Sequence, residues 1–191
     1  MAALTLAPAR SILLVIDVQE RLAPAMPEAG QPTIDRIDLL LEGAALLGVE
    51  VVVSEQYPKG LGPTVAPLKE RLASLPKAAA VHEKLEFDAT RNPALAATFD
   101  ALRSAGRTHV VVTGMEAHIC VYQTARGLVA RGFHTHVASD ATASRSASNA
   151  ELARGLWRAA GAVVTGTETV LFDWLGQAGG DAFKAISKRL R

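Results

Sequence analysis

The sequence holds a single cysteine, Cys120, so no disulfide can form within the chain and the fold must rest on its core. That usage suits a reducing cytoplasm, the expected location. No uncharged apolar stretch approaches the roughly 20 residues needed to cross a bilayer, so a soluble protein without a membrane partner is expected. Charge of one sign is also missing. Lys and Arg number 20 against 19 Asp and Glu, a formal net charge of +1, which predicts neither a counterion-releasing grip on nucleic acid nor a polybasic membrane anchor. There is no internal repeat, low-complexity tract or Pro-, Gly- and Ser-rich linker, and the length suits a single domain over residues 1–191. The start, Met1 to Arg10, runs directly into a core-like segment, so a cleaved signal is not expected.

What is present is aliphatic. Hydrophobic residues make up 49% of the chain, enough for a packed interior. The run Ser11-Ile-Leu-Leu-Val-Ile-Asp17 is too short for a helix, closes on a carboxylate and reads as a fully buried strand. Similar runs recur at Val49 to Val53, Ala79 to His82, His109 to Thr113, His134 to Ala138 and Ala162 to Thr165.

Helical segments lie between them. Asn92 suits a cap and Pro93 the first helical position, with Leu95, Phe99 and Leu102 on one face and Gly106 beyond the end. Ser148 and Glu151 have capping-box spacing ahead of Leu152 and Leu156, with Gly161 as terminator. A third helix is expected from about Thr33 to Leu47, stopping at Gly48, and a last one from about Asp181, with Phe183, Ile186 and Leu190 facing the body or a neighbouring subunit. Regular alternation with short connections predicts an α/β fold: a three-layer α/β/α sandwich around a six-stranded, mostly parallel sheet.

In such sheets ligands bind beyond the carboxyl ends of the strands. Three reactive side chains fall there: Asp17 at the end of the first strand, Lys84 after the third, and Cys120 beyond the fourth. Each alone has an ordinary reading, as a turn residue, a solvated charge and a small buried hydrophobe. Their convergence favours chemistry. Cys120 is expected to open a helix running to Arg131, whose N-terminal field would lower the thiol pKa and leave it partly ionised at neutral pH. The connection Asp17-Val18-Gln19-Glu20-Arg21 has no glycine-rich phosphate turn, which argues against a nucleotide site.

The segments Leu14-Val15-Ile16-Asp17-Val18-Gln19, Lys84, and Val112-Thr113-Gly114-Met115-Glu116-Ala117-His118-Ile119-Cys120-Val121 resemble the isochorismatase-like cysteine hydrolases. The resemblance continues through Ser139-Asp140-Ala141-Thr142 and Gly166 to Phe172, and Ser54 to Gly62 resembles a subgroup without a settled substrate. It implies that Cys120 attacks an electrophilic carbon, Asp17 takes the thiol proton and Lys84 holds the pair in register. It also implies a cis peptide between Met115 and Glu116, an oxyanion hole from the backbone N–H groups of Glu116 and Cys120, and homo-oligomers.

Nicotinamidases of this superfamily hold a metal with an Asp-x-His pair and a further His after the second strand. Here that region reads Ser54-Glu55-Gln56-Tyr57-Pro58, so neither a metal nor another cofactor is expected. Isochorismate-cleaving members lack the cysteine, so a small-molecule substrate with an amide-like or ureido C–N bond fits better. Gln56, Tyr57, His118 and Thr142 are expected to line the pocket, His118 as a wall residue since Asp17 fills the base role. Trp157 and Trp174 are expected in packing or subunit contacts. The reading from another class is a binding, scaffold or redox-responsive protein that keeps the fold.

Overall fold

Strand length is set by the aliphatic runs and extended by the polar residues that follow them. In the computed structural model, which describes residues 4–26 and 28–190, the strands are β1 (Ser11–Ile16), β2 (Glu50–Gln56), β3 (Ala80–Lys84), β4 (His109–Met115), β5 (His134–Ala143) and β6 (Val163–Thr165). The helices are α1 (Gly30–Leu47), α2 (Pro58–Leu61), α3 (Ala66–Ala73), α4 (Pro93–Ser104), α5 (Tyr122–Ala130), α6 (Ala147–Ala159), α7 (Thr167–Leu175) and α8 (Gly180–Arg189). The two ends of the domain expected over 1–191, residues 1–3 and 191, lie outside the described residues, as does residue 27; the reading of Met1 to Arg10 therefore falls partly outside them.

All six strands pair in parallel, in the order β3-β2-β1-β4-β5-β6. The order reverses between β1 and β4, which opens a crevice above their carboxyl ends. β1 is buried along its whole length because both faces of the sheet are covered. Its alternate residues divide between two cores. Leu13 and Val15 pack with Ile37 of α1, Leu68 of α3, Trp174 of α7 and Ile186 of α8. Ile12, Leu14 and Ile16 pack on the opposite face with Phe99 of α4, Leu128 of α5 and Trp157 of α6. The molecule is thus a three-layer α/β/α sandwich. Each fully buried aliphatic side chain contributes about 1.5–3 kcal/mol relative to exposure, and this burial offsets the cost of the polar groups enclosed at the strand ends.

Several details differ from expectation. α1 starts three residues earlier than Thr33, while Gly48 ends it in a left-handed conformation (φ 71°) as its position suggested. Ser146, not Ser148, caps α6, its hydroxyl accepting from the N–H of Asn149. The stripe that α6 buries is Ala153 and Trp157; Leu152 is exposed. α8 docks on the body, burying Ile186 and pairing Arg189 with Asp38 and Glu42 of α1.

β5 carries the largest irregularity. Three residues of β4, from Val112 to Gly114, are matched by six of β5, from Val137 to Thr142. The extra chain swings Asp140 outward, where its carboxylate accepts from the N–H (2.8 Å) and the hydroxyl (3.1 Å) of Thr167 and so caps the start of α7. The Ser139-Asp140-Ala141-Thr142 segment is therefore a brace between strand and helix.

Candidate active site

β1, β2, β3 and β4 each deliver one part of a buried polar cluster at the crevice. Asp17 follows β1 directly and takes a left-handed backbone (φ 53°), a conformation aspartate tolerates better than most residues. Its N–H donates to the Ser54 carbonyl of β2 at 3.0 Å. Gly114 brings β4 close beside it: a Cβ at this position (φ 111°) would lie 2.0 Å from the Ile16 carbonyl oxygen. The following peptide, Met115–Glu116, is cis.

The Asp17 carboxylate is held at both oxygens. Lys84 Nζ donates to Oδ2 at 2.6 Å and Ser54 Oγ donates to Oδ1 at 2.7 Å. The Asp17 and Lys84 side chains are both 0% exposed, so this is a fully buried ion pair. β3 lies two strands from β1, about 10 Å away at ordinary strand spacing, and only a long side chain spans that gap. Lys84 is the last residue of β3 rather than one beyond it, and its register opposite Gln56 aims it across β2. Gln56 Oε1 accepts a second bond from the ammonium at 2.7 Å, while Gln56 Nε2 donates to the Leu85 carbonyl at 2.8 Å. The fully buried Gln19 clamps Gln56 in turn, accepting from its N–H (2.8 Å) and donating to its carbonyl (3.0 Å).

Cys120 completes the cluster from above β4, its thiol within hydrogen-bonding reach of Asp17. The helical segment starts earlier than expected, as a π-helical turn over Ala117–Val121 that leads into α5, so Cys120 lies inside the first turn instead of opening it. The residue is only 6% exposed. Burial pushes its thiol up to about 12; the facing Asp17 carboxylate adds to the rise and Lys84 opposes it. The expectation of a partly ionised thiol is overturned, because desolvation and a neighbouring negative charge outweigh the field of a short helical turn. Asp17 is shifted too. Burial raises its carboxyl above the ordinary carboxylate range, against the opposing pull of Lys84, Ser54 and Cys120. The thiol is thus neutral at rest, and it faces a carboxyl group whose basicity burial has raised.

The remaining residues divide. Glu116 is buried and its carboxylate accepts from Arg145, from the backbone N–H at 3.0 Å and from Nε at 3.1 Å. His118 Nδ1 is hydrogen-bonded to Ser144 Oγ at 3.0 Å, which ties the ring to β5's end. Tyr57 is exposed and lines a groove of about 410 Å³ with Pro58, Lys84, Leu85 and Asn92. Thr142 lines a separate cavity of about 510 Å³ with Thr33, Ser144, Arg145 and Arg154. The four residues expected around one pocket are therefore distributed: Gln56 serves Lys84, His118 serves Ser144, and Tyr57 and Thr142 face different hollows. Trp157 and Trp174 are buried in the two cores, with Trp174 Nε1 donating to Ser11 Oγ.

Sequence reasoning assigned no role to Ser54, Gln19, Ser144 or Arg145. Ser54 and Gln19 carried a signal, since a polar residue in an otherwise aliphatic buried strand, or just beyond one, demands a partner. Among the described residues, no group of three or more His, Cys, Asp and Glu is arranged to hold a metal ion. No helix among them is long and apolar enough to cross a membrane.

Comparison with known proteins agrees with this architecture. The isochorismatase domain matches residues 11–169. Isochorismatase domain-containing protein 1 of Salmo salar is 37% identical over 186 residues, covering 97% of this chain but 62% of that protein, so the chain spans less than two thirds of this curated relative. The MAR1 ribonuclease of Caenorhabditis elegans superposes with a TM-score of 0.87 at 32% identity, covering 97% of this chain and 92% of that one. The YcaC gene product of Escherichia coli, described as an octameric hydrolase of unknown specificity, shares the fold with a TM-score of 0.86 at 17% identity, covering 97% and 90%. By the extent of the domain match and by identity along nearly its whole length, this chain belongs to the isochorismatase domain family.

Proposed function

We propose that the protein is a metal-independent cysteine hydrolase that cleaves a small amide, ureido or related C–N substrate through a covalent thioester-type intermediate on Cys120. The observation that carries this reading is a single buried carboxylate, Asp17, shared by the Cys120 thiol and the Lys84 ammonium. A thiol pushed up to about 12 is not ionised in advance, so its proton passes to Asp17 as sulfur attacks the carbonyl carbon. Lys84 holds Asp17 in place and keeps it charged until then. The carbonyl oxygen gains negative charge and is received by the N–H groups of Glu116 and Cys120. As the C–N bond breaks, Asp17 returns the proton to the leaving nitrogen and the amine departs. Water then attacks the thioester, giving one proton to Asp17, and the acid product leaves as that proton returns to sulfur.

Cleavage of a C–N bond suits this set better than vinyl-ether hydrolysis, which needs no nucleophilic sulfur. The Caenorhabditis elegans relative is called a ribonuclease; the net charge of +1 in this chain supplies no basic footprint for RNA. Homo-oligomerisation fits the octameric Escherichia coli relative, and a reducing compartment such as the cytoplasm would keep the lone thiol reduced. The near-sealed state of Cys120, 6% exposed, favours a second reading, a catalytically weak binding or scaffold protein. The raised thiol disfavours a peroxide sensor, which needs thiolate.

The test is a screen of small amides and ureido compounds with wild type and Cys120→Ser. The proposal requires turnover that the substitution abolishes. Full activity in Cys120→Ser excludes covalent catalysis at this residue, and no turnover of any compound by wild type leaves the scaffold reading.

A further inference from the structure

Three groups meet the Asp17 carboxylate, and they differ in what they can do once it is protonated. Lys84 is an ammonium, which only donates. The Cys120 thiol has by then lost its proton to Asp17. Ser54 carries a hydroxyl, which both donates and accepts. Its side chain is wholly buried in β2 and donates to Oδ1 at 2.7 Å, on the oxygen opposite the one that Lys84 occupies at 2.6 Å.

We propose that Ser54 is a positioning residue for Asp17: it steers the arriving proton to Oδ1 and is the one neighbour able to satisfy both the ionised and the protonated carboxyl. This rests on the proposed role of Asp17 as base for Cys120. Oδ2 bears the full ammonium contact and is the less basic oxygen, whereas Oδ1 faces a neutral hydroxyl. The step moves one proton from Sγ to Oδ1, leaving a thiolate that forms the bond to carbon, and no other proton changes its owner. Ser54 then turns from donor to acceptor at the same oxygen. The carboxyl is also tied to β2 through the main chain, since the Ser54 carbonyl accepts the Asp17 N–H at 3.0 Å, which fixes the register of hydroxyl and carboxylate.

The charged and titratable groups around this carboxyl are Lys84 from β3 and Cys120 from the turn after β4, with the Glu116 carboxylate acting on Cys120 from the same turn. None of them can replace a hydroxyl. Burial holds Asp17 above the usual carboxylate range while Ser54 pulls it down, so loss of the hydroxyl raises it further.

The experiment uses the full chain with iodoacetamide as probe, because one cysteine gives one alkylation site read by intact-protein mass. The rate is followed from acid to neutral pH. For wild type it rises through the Asp17 ionisation and levels off. In Ser54→Ala the rise moves to higher pH and the plateau falls about tenfold, short of the roughly 100-fold or more that a whole acid–base group contributes, because Asp17 itself remains. Ser54→Thr, which restores a hydroxyl, brings the rise back towards wild type, while Ser54→Val, of the same shape, does not. This isosteric pair keeps the test valid if Ser54→Ala folds poorly. A purely structural serine leaves the pH of the rise unmoved in all three variants, or makes Thr and Val behave alike, and either result overturns the proposal. Asp17→Asn distinguishes the levels: if it removes the rise while the serine variants do not move it, Ser54 alone is wrong; if it too changes nothing, the base role of Asp17 fails.

Discussion

Lys84→Met is the sharpest perturbation of the buried cluster, because it keeps the unbranched stem and removes only the charge. In wild type the Nζ to Oδ2 contact is 2.6 Å and both side chains are 0% exposed. Removing one partner of such a pair strands the other charge without solvent, at a cost of about 3–5 kcal/mol. For a urea slope of about 2 kcal/mol/M, that lowers the unfolding midpoint by roughly 1.5–2.5 M. The deficit depends on pH with a definite sign. Asp17 already sits above its ordinary value through burial, and loss of Lys84 raises it further. A group whose folded pKa is raised binds its proton more tightly in the native state, so its stabilising effect is full below the unfolded value near 3.8 and is lost as pH rises through the folded pKa. Lys84→Met should therefore approach wild type in acid and fall away towards neutrality. Asp17→Asn combined with Lys84→Met should recover much of the loss, since no buried charge remains. Urea melts of the four proteins of this cycle across pH measure it. A Lys84→Met protein within about 1 kcal/mol of wild type at every pH would refute the buried ion pair and the electrostatics built on it.

Other consequences are open to measurement. Carried into alkaline solution, the iodoacetamide profile of wild type should show no step at the ordinary thiol pKa but a second rise towards about 12, and Asp17→Asn should keep only an alkaline rise, moved to lower pH because the carboxylate that adds to the thiol shift is gone; a wild-type plateau beginning near 8.5 would mean an ordinary exposed thiol. Gly114→Ala sets a Cβ 2.0 Å from a backbone oxygen at φ 111°, so a loss of at least about 3 kcal/mol in chemical unfolding is expected, and a stable variant would contradict the close approach of β4 to β1. Gln56→Leu removes an acceptor from the buried ammonium, worth about 1.5–3 kcal/mol or roughly 3–12 °C in melting temperature, and an unchanged melt would mean that Lys84 does not depend on it. Light scattering at micromolar concentration should find an oligomer, and a monomer would refute the assembly proposed from the octameric relative.

The layered fold was legible because β1 is buried on both faces and reads as an unbroken aliphatic run, and because Pro93 and Gly48 mark helix boundaries by backbone geometry alone. Asp17, Lys84 and Cys120 were legible by position, since each sits at the carboxyl end of a parallel strand where ligands bind. What the sequence hid was tertiary. The cap of α6 went to Ser146 because Ser148 lies within the first turn, a choice made by where the chain leaves β5. Leu152 pointed outward because Ala153 and Trp157 fill the space under α6. The thiol shift was misjudged because a helix terminus is visible in sequence, whereas the burial of Cys120 and the approach of Asp17 depend on strands far apart in the chain. Gln56 looked like a pocket residue and Ser54 had no assigned role until β2 set them beside Lys84 and Asp17.

Intact-protein mass spectrometry of the protein quenched during incubation with a panel of small amides and ureido compounds tests the proposed covalent step most directly. A transient mass increase equal to the acyl portion of a substrate, mapped to Cys120 and missing in Cys120→Ala, is the predicted result. Product formation by Cys120→Ala at the wild-type rate, with no adduct ever captured on the wild-type sulfur, would contradict it.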